Sequence, residues 1–464
     1  MKNPFLEFSS NENVVTNSKY LKKNDVFLSL KGGAKYLTSD QANLAKHILL
    51  DSSETINLPK VIKIKDLNST YLEWIDEYFD IDHSYFDNLF ITGTNGKTST
   101  LSFLSQIFKS NDIKHASSGT LGTFINDKKI FNNELTTEEP VFIRNLMSKC
   151  FRLSIKNIIF EASSIGVDKN RLRGLKIDHA IFTNISRDHL DYHGSLKKYI
   201  DAKFKLISNS KAKTVAVNFD DEIISRHLRK MYSKETFTIS SKNRESDIFF
   251  RVLKFYEDGN IEFLAETPWG KFQAASKIES KFNLYNLFLS LPYFQYVNND
   301  CEDFFAQVEN LSLPYGRLNK TEKENIYIDY AHSPKALESV CKYLYKKKKN
   351  KLIIVFGAGG ERDEGKRYQM GEIADKYCEK IYVTSDNPRN EDPRQIADMI
   401  IDGIKGTDKI CIELDRSCAI KNAINELGEE DILLIAGKGH ENKQIIGDEY
   451  LDFSDFEEVK KCIA

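Results

Sequence analysis

The sequence lacks any apolar run approaching the roughly 18 residues needed to cross a bilayer. Its first residues, Met1-Lys2-Asn3-Pro4, open no signal-peptide pattern. A membrane span is thereby excluded, and a cytoplasmic protein is expected. Seven cysteines are scattered with no Cys-x-x-Cys pair and no metal-like spacing. That argues against a disulfide framework or a zinc site and suits buried thiols in a reducing compartment. An excess of one charge is missing too. The formal net charge is -2, so nothing in the balance calls for nucleic acid or an anionic membrane. Internal repeats and low-complexity linkers are absent. The lysine run Lys346-Lys347-Lys348-Lys349 ends a helical segment before the strand Leu352 to Phe356, where cations favour the helix dipole.

What is present is a long, ordinary globular composition. A chain of 464 residues exceeds one core and predicts about three domains. Residues 1–86 hold short strand-like runs such as Asp25-Val26-Phe27-Leu28-Ser29-Leu30. Across 87–312 strands alternate with helices, at Asn88 to Thr92, Asn157 to Phe160 and His179 to Thr183. A second alternating block fills 313–464, with strands at Ile326 to Ile328, Leu352 to Phe356, Lys380 to Thr384, Ile410 to Ile412 and Ile432 to Ala436. Alternation of this kind predicts an α/β fold whose parallel sheets bind ligands at the carboxyl ends of their strands.

The first such end is the most informative. Leu89-Phe90-Ile91-Thr92 runs through Gly93-Thr94-Asn95-Gly96 into Lys97-Thr98 and a helix. Unpaired N–H groups at a helix start hold phosphate, the glycines admit it closely, Lys97 supplies charge, and the Thr98 hydroxyl suits Mg²⁺. The strict Walker pattern fails, since it wants glycine where Ile91 stands. Glu161, at the end of the next strand, either holds a metal beside Thr98 or caps the following helix. The stretch Thr183-Asn184-Ile185-Ser186-Arg187-Asp188-His189-Leu190-Asp191-Tyr192-His193-Gly194 offers metal ligands or ordinary turn chemistry. Taken alone, Lys203 on the next helix is a solvated lysine. In the last block, loops beginning Gly357-Ala358-Gly359-Gly360, Ser385-Asp386-Asn387-Pro388-Arg389 and Gly437-Lys438-Gly439-His440-Glu441 follow three strands. Arg367 and Arg389 are fork-shaped donors for carboxylate or phosphate, or else surface ion-pair partners. No Gly-x-Gly-x-x-Gly opens a helix there, which disfavours a dinucleotide site.

Read in order, these motifs resemble those of the Mur ligases over nearly the whole chain, from Thr16-Asn17-Ser18 to the C-terminal helix. The resemblance implies a small N-terminal α/β domain (1–86) for a UDP-sugar, a central P-loop-type ATPase domain (87–312) and a C-terminal Rossmann-like doubly wound domain (313–464). It implies ATP on Gly93, Thr94, Asn95, Gly96, Lys97, Thr98, Asn283, Asn286, Arg317, Asp329 and His332. Mg²⁺ falls to Thr98, Glu161, His189 and Lys203, the last as a carbamate, with Lys97, Lys203 and His189 as catalytic groups. Ser18, Thr136, Thr137, Ser163, Ser164 and Arg171 fall to the UDP-N-acetylmuramoyl dipeptide. Asp386-Asn387-Pro388-Arg389, Arg367, Gly437 and Glu441 are similar to the segments of family members that add meso-diaminopimelate. Lysine-adding members lack the arginine, and an arginine can grip the distal carboxylate that lysine does not have. The family's chemistry implies an acyl phosphate, three substrates, closure about Tyr315-Gly316 and no covalent enzyme intermediate. A monomer is expected.

The sequence departs from the family pattern in places. Ile165 stands where histidine follows Glu-x-Ser-Ser. Glu138-Glu139 separates Thr136-Thr137 from Pro140, Ser280 replaces a glycine and Asn319 a glutamate. Two other readings are a folylpolyglutamate-type or lysine-adding ligase and a nucleotide-binding relative whose chemistry has lapsed.

Overall fold

The computed structural model describes residues 13–208, 212–228 and 235–463. It divides into two compact units. The first takes the described residues up to Leu89 with Lys114–Phe160 and Gly166–Asp178; the second takes Phe90–Ile113, Glu161–Ile165 and His179 onward. Met1-Lys2-Asn3-Pro4 lies outside the described residues. Among those residues no helix is long and apolar enough to cross a membrane.

In the first unit, Val14–Val15, Val26–Leu28, His47–Asp51 and Val61–Ile64 form a parallel sheet in chain order. Each strand is short, and alternate residues serve two cores. Val26, Leu28 and Leu49 pack with Leu67, Trp74 and Ile75 of the helix Leu67–Tyr78. Phe27, Ile48 and Leu50 pack on the other face with Ala34 and Ala42. Arg144 is buried, and its charge is met by Asp76 at 2.9 Å and the Arg173 carbonyl at 3.0 Å, as a buried guanidinium requires.

In the second unit, which takes β1 (Asp87–Thr92) from Phe90 on, the strands β1, β2 (His179–Phe182), β3 (Thr214–Asn218), β4 (Thr236–Ser240), β5 (Ile248–Phe255), β6 (Ile261–Thr267) and β7 (Gly270–Ser276) lie in the order β7-β6-β5-β4-β3-β2-β1. The β2 to β5 pairs are parallel and the last two pairs antiparallel. The antiparallel trio was not anticipated from the sequence. Helices α1 (Lys97–Ser110), α2 (Leu196–Ser208) and α3 (Lys281–Asn298) accompany this sheet.

The rest of this unit carries β8 (Asn319–Lys320), β9 (Ile326–Asp329), β10 (Leu352–Phe356), β11 (Lys380–Val383), β12 (Ile410–Ile412) and β13 (Ile432–Ala436), ordered β8-β9-β13-β10-β11-β12. Pairs from β9 to β12 are parallel. Leu352, Ile354 and Phe356 face α4 (Pro334–Lys347), α5 (Gly365–Tyr377) and α6 (Pro393–Ile401); Ile353 and Val355 face α7 (Arg416–Asn425) and α8 (Asp455–Ile463). Five consecutive apolar residues are what a strand buried on both faces needs. The expected doubly wound sheet is therefore present, and β9, β13, β10 and β11, adjacent in space, deliver four loops to one edge.

Candidate active site

The turn after β1 curls because two glycines let it. Gly93 has φ +149° and Gly96 φ +88°; a Cβ on Gly93 would strike Thr183 Oγ1, and one on Gly96 would strike Asn286 Oδ1. The segment after β2 holds the turn rigid. Thr94 N–H donates to the Asn184 carbonyl (2.7 Å), Thr183 Oγ1 to the Asn95 carbonyl (2.6 Å), and Asn184 Nδ2 to the same carbonyl (2.9 Å). Gly96 caps α1 with no side chain, so the N–H groups of its first turn face outward from a fixed loop, as an anion site requires.

Two lysines meet on this loop. Lys97 Nζ donates to the carbonyls of Gly93 (2.9 Å) and Thr94 (3.0 Å), and buried Lys203 Nζ donates to Gly93 (2.7 Å). Burial, then the charge of Lys97, drives Lys203 well below its ordinary value. Burial also lowers Lys97, against the pull of buried Glu161 and of Asp188. Lys203 is therefore not a solvated lysine. Burial opposes the charge on Asp188, but His332 and then His189 hold its carboxyl low. Burial favours neutral imidazole at His189, opposed by Asp188. Nε2 of His189 lies 3.6 Å, and that of His332 3.9 Å, from Asp188 Oδ2.

Thr98, Glu161 and His189 supply a hydroxyl, a carboxylate and an imidazole, a donor set whose oxygens suit a hard cation. Among the described residues, no three His, Cys, Asp or Glu side chains form a metal-holding group. As an ammonium, Lys203 has only protons to donate and cannot be a ligand.

On the nucleotide side, Arg317 Nη2 lies 3.4 Å from Thr98 Oγ1 and stacks over Tyr330. Buried Asp329 accepts N–H bonds from Leu318 and Ala331, both 2.7 Å, and burial lifts its carboxyl to about 6 against the pull of Arg317. Asn283 Nδ2 donates to the Ile278 carbonyl (2.9 Å), and Asn286 Nδ2 to Asn283 Oδ1 (3.3 Å). The departures find structural reasons here. Ser280 is the N-cap of α3, accepting from Asn283 N–H, a gain over glycine. Asn319 Oδ1 accepts from Gly316 N–H at 2.5 Å, pinning the expected hinge.

The four loops of the second sheet converge on another cluster. Lys438, buried, donates to Asn387 Oδ1 and Glu441 Oε2, both 3.0 Å, and Asn387 Nδ2 donates to Glu441 at 2.9 Å. Asp386 Oδ2 is buried without a hydrogen-bond partner. Burial, then the Asp386 charge, raises Glu441 above the usual carboxylate range. Gly437 passes directly over the Asp386 carboxylate. Arg389, beyond Pro388, donates to the Gly360 carbonyl at 2.8 Å. A hairpin, Lys443–Ile446 with Glu449–Asp452, brackets it: Arg389 N–H bonds Ile445 O (3.1 Å), and Gly447 N–H bonds Arg389 O (2.8 Å).

Arg367 is fully buried, with its guanidinium on Glu391 (2.8 Å), Gly359 O and Met399 Sδ. It braces the glycine loop through the Gly359 carbonyl. Two supports went unread in the sequence. One is Lys438, whose signal is a lysine between two glycines at a strand end. The other is Arg416, buried on α7, which pairs with Asp455 (2.7 and 2.9 Å) and donates to Ala436 O (3.0 Å) and Ser385 O (3.4 Å).

Ser164 Oγ in the second unit meets His193 Nε2 at 3.1 Å, and Ser163 precedes it. In the first unit Arg171 donates to Thr137 O (3.1 Å) and pairs with Glu139 (2.9 Å), while Thr136 meets Thr120 at 3.2 Å. Glu138 accepts N–H bonds from Glu134 and Leu135, so the two-residue extension fastens its own loop. Ser18 begins a short 3₁₀ turn in the same unit.

A glycine turn at a helix start and a second charged cluster at the edge of a doubly wound sheet are the architecture of an ATP-dependent amide ligase class, and the relatives of this chain agree. The chain belongs to the Mur ligase family: residues 91–292 match the family's middle domain and 316–439 its glutamate ligase domain. It is 36% identical over 473 residues to the UDP-N-acetylmuramoyl-L-alanyl-D-glutamate–2,6-diaminopimelate ligase of Rickettsia rickettsii, covering 96% of this chain and 95% of that one. The ligase of the same name from Aquifex aeolicus is 32% identical over 458 residues, covering 97% and 93%. A solved 2,6-diaminopimelate ligase of that name superposes with a TM-score of 0.62 at 28% identity, covering 97% and 94%. A Thermotoga maritima MurF ligase solved with ADP shares the fold, with a TM-score of 0.68 at 18% identity, over 98% and 97%.

Proposed function

We propose that this protein is the ATP-dependent, ADP-forming ligase that joins meso-diaminopimelate to UDP-N-acetylmuramoyl-L-alanyl-D-glutamate in cytoplasmic peptidoglycan precursor synthesis. The observation that carries the substrate assignment is the acceptor cluster. Asp386 and Glu441, one with an unpartnered buried oxygen, face one another beside Lys438, with Arg389 at the rim. Two acids suit an ammonium, and a guanidinium suits the extra carboxylate that distinguishes diaminopimelate from lysine.

The D-glutamate carboxylate oxygen attacks the γ-phosphorus, and ADP leaves. The diaminopimelate amine then attacks the acyl phosphate carbon, loses its proton and expels phosphate. The N–H groups of α1 and Lys97 hold the phosphates in line; Asn283, Asn286, Arg317, Asp329 and His332 hold the rest of the nucleotide. Thr98, Glu161, His189 and a carbamylated Lys203 would hold Mg²⁺, which would supply charge neutralisation at the phosphoryl group. The neutral amine that burial favours at Lys203 is the form that adds CO₂ at carbon, giving a carbamate and one proton and turning a donor into an oxygen ligand. Ser18, Thr136, Thr137, Ser163, Ser164 and Arg171 bind the UDP-N-acetylmuramoyl dipeptide. Three domains, 1–86, 87–312 and 313–464, serve the three substrates.

The test is phosphate release with ATP, Mg²⁺ and the UDP-dipeptide, comparing added meso-diaminopimelate with L-lysine. Release is expected with diaminopimelate alone and is expected to be lost in Arg389→Ala. Equal release with lysine overturns the acceptor assignment, and silence with both overturns the reaction.

A further inference from the structure

The geometry points to Arg187 and Asp363 as a positioning pair that sets the Asp188–His189 loop for phosphoryl transfer; this rests on the ligase reading above. Arg187 follows Ser186, whose N–H bonds Thr94 Oγ1 at 2.9 Å in the phosphate turn, and precedes Asp188 and His189. Its guanidinium crosses to the loop after β10 and grips Asp363 with two parallel bonds, Nε to Oδ2 at 2.8 Å and Nη2 to Oδ1 at 2.7 Å. The Asp363 carboxylate is buried, with only 6% of its side chain exposed. Two-pronged pairing fixes orientation as well as distance, which a lysine at 187 could not do.

A second observation is independent of the bond itself. Gly365 is the first residue of α5. Its φ is ordinary, so its backbone does not need glycine. Glycine in place of alanine costs a helix roughly 0.5–1 kcal/mol in its interior. A Cβ at 365 would collide with Arg187 Nη2 and stand 3.0 Å from its Cζ. The missing side chain leaves the guanidinium its room. Asp363 also accepts the Gly365 N–H at 3.1 Å, so the start of α5 and the arginine share one carboxylate.

The pair joins the two chemistries. The Asp363 loop begins at Gly357 to Gly360, where Arg389 donates to the Gly360 carbonyl. Beyond it, Lys366 adds positive charge facing Asp188. The pair thus ties the loop that carries Asp188 and His189 to the glycine loop that Arg389 also holds, so the two chemistries share one support.

The experiment is a double-mutant cycle of Arg187→Met and Asp363→Asn, with Gly365→Ala as the steric variant. Each is read for kcat, for KM of ATP and of diaminopimelate, and for hydrogen exchange of residues 183–193 with a non-hydrolysable ATP analogue and Mg²⁺ bound. Each single substitution is expected to lower kcat by about tenfold or more, with KM for ATP within about twofold, and the double to be no worse than either single. Gly365→Ala is expected to lower kcat likewise. All three are expected to speed exchange in 183–193. Independent effects in the cycle, an unchanged kcat, or unchanged exchange overturns the pairing role. If the unsubstituted protein releases no phosphate, the ligase reading fails, and the exchange measurement still decides whether the pair orders the loop.

Discussion

At the residue scale, the phosphate turn is where sequence and structure correspond most closely. Gly93 and Gly96 were legible because their role is backbone curvature and close approach, which leaves a mark in residue type. Lys203 was legible only through family resemblance, since nothing local distinguishes a buried helical lysine from an exposed one; its burial comes from a loop some 110 positions away in sequence. Gly96→Ala is expected to destabilise the fold by about 1–2 kcal/mol from the left-handed backbone alone and to abolish ADP binding, as measured by calorimetric titration. Asp329 yields a pH prediction. Its carboxyl is raised from 3.8 to about 6, so across that interval the folded chain holds a proton that the unfolded chain has lost. Its contribution to stability is therefore fully present below the lower value and is lost as pH rises through the upper one. Asp329→Asn is expected to flatten that slope, as read from urea midpoints between pH 4 and 7.

At the element scale, the strands of the second sheet were legible because strands buried on both faces are written as continuous apolar runs. The β5-β6-β7 meander was not, since Arg251 and Lys254, three positions apart and both exposed, break the alternation of Ile248–Phe255. The Arg367 partner was not legible for a related reason: a fork-shaped donor in a loop motif looks the same from the sequence whatever it meets, and its glutamate is 24 residues away. The α7–α8 pair shows what such buried arginines do. Asp455→Asn leaves Arg416 as a buried, unpaired charge and is expected to cost about 3–5 kcal/mol. Arg416→Met with Asp455→Leu is expected to cost less in chemical unfolding, yet to raise KM for the acceptor because the carbonyls of Ser385 and Ala436 lose their common donor.

At the scale of the whole molecule, the order of motifs disclosed the family, while the packing did not follow sequence order. The described segments 114–160 and 166–178 join the N-terminal residues in one compact unit, a gathering that no local pattern encodes. The groups expected around the nucleotide and the acceptor all lie in the other unit, and their separation into two loop systems is itself informative. ATP turnover without acceptor is expected to be at most a few per cent of the coupled rate, checked by ADP formation with the UDP-dipeptide present and diaminopimelate withheld.

The hairpin Lys443–Asp452 bonds the backbone of Arg389 on both sides, its Gln444 side chain donates to the Asp386 carbonyl and its Ile445 N–H to Asn387 Oδ1, while Ile446, Tyr450 and Leu451 face solvent. The Asp386–Arg389 segment and the hairpin are thus one fitted unit, and a change in either is felt by the other. Transplanting Asp386–Arg389 from a lysine-using relative is then expected to leave preference unchanged unless its hairpin travels with it, a co-inheritance readable in the ratio of kcat/KM for the two amino acids.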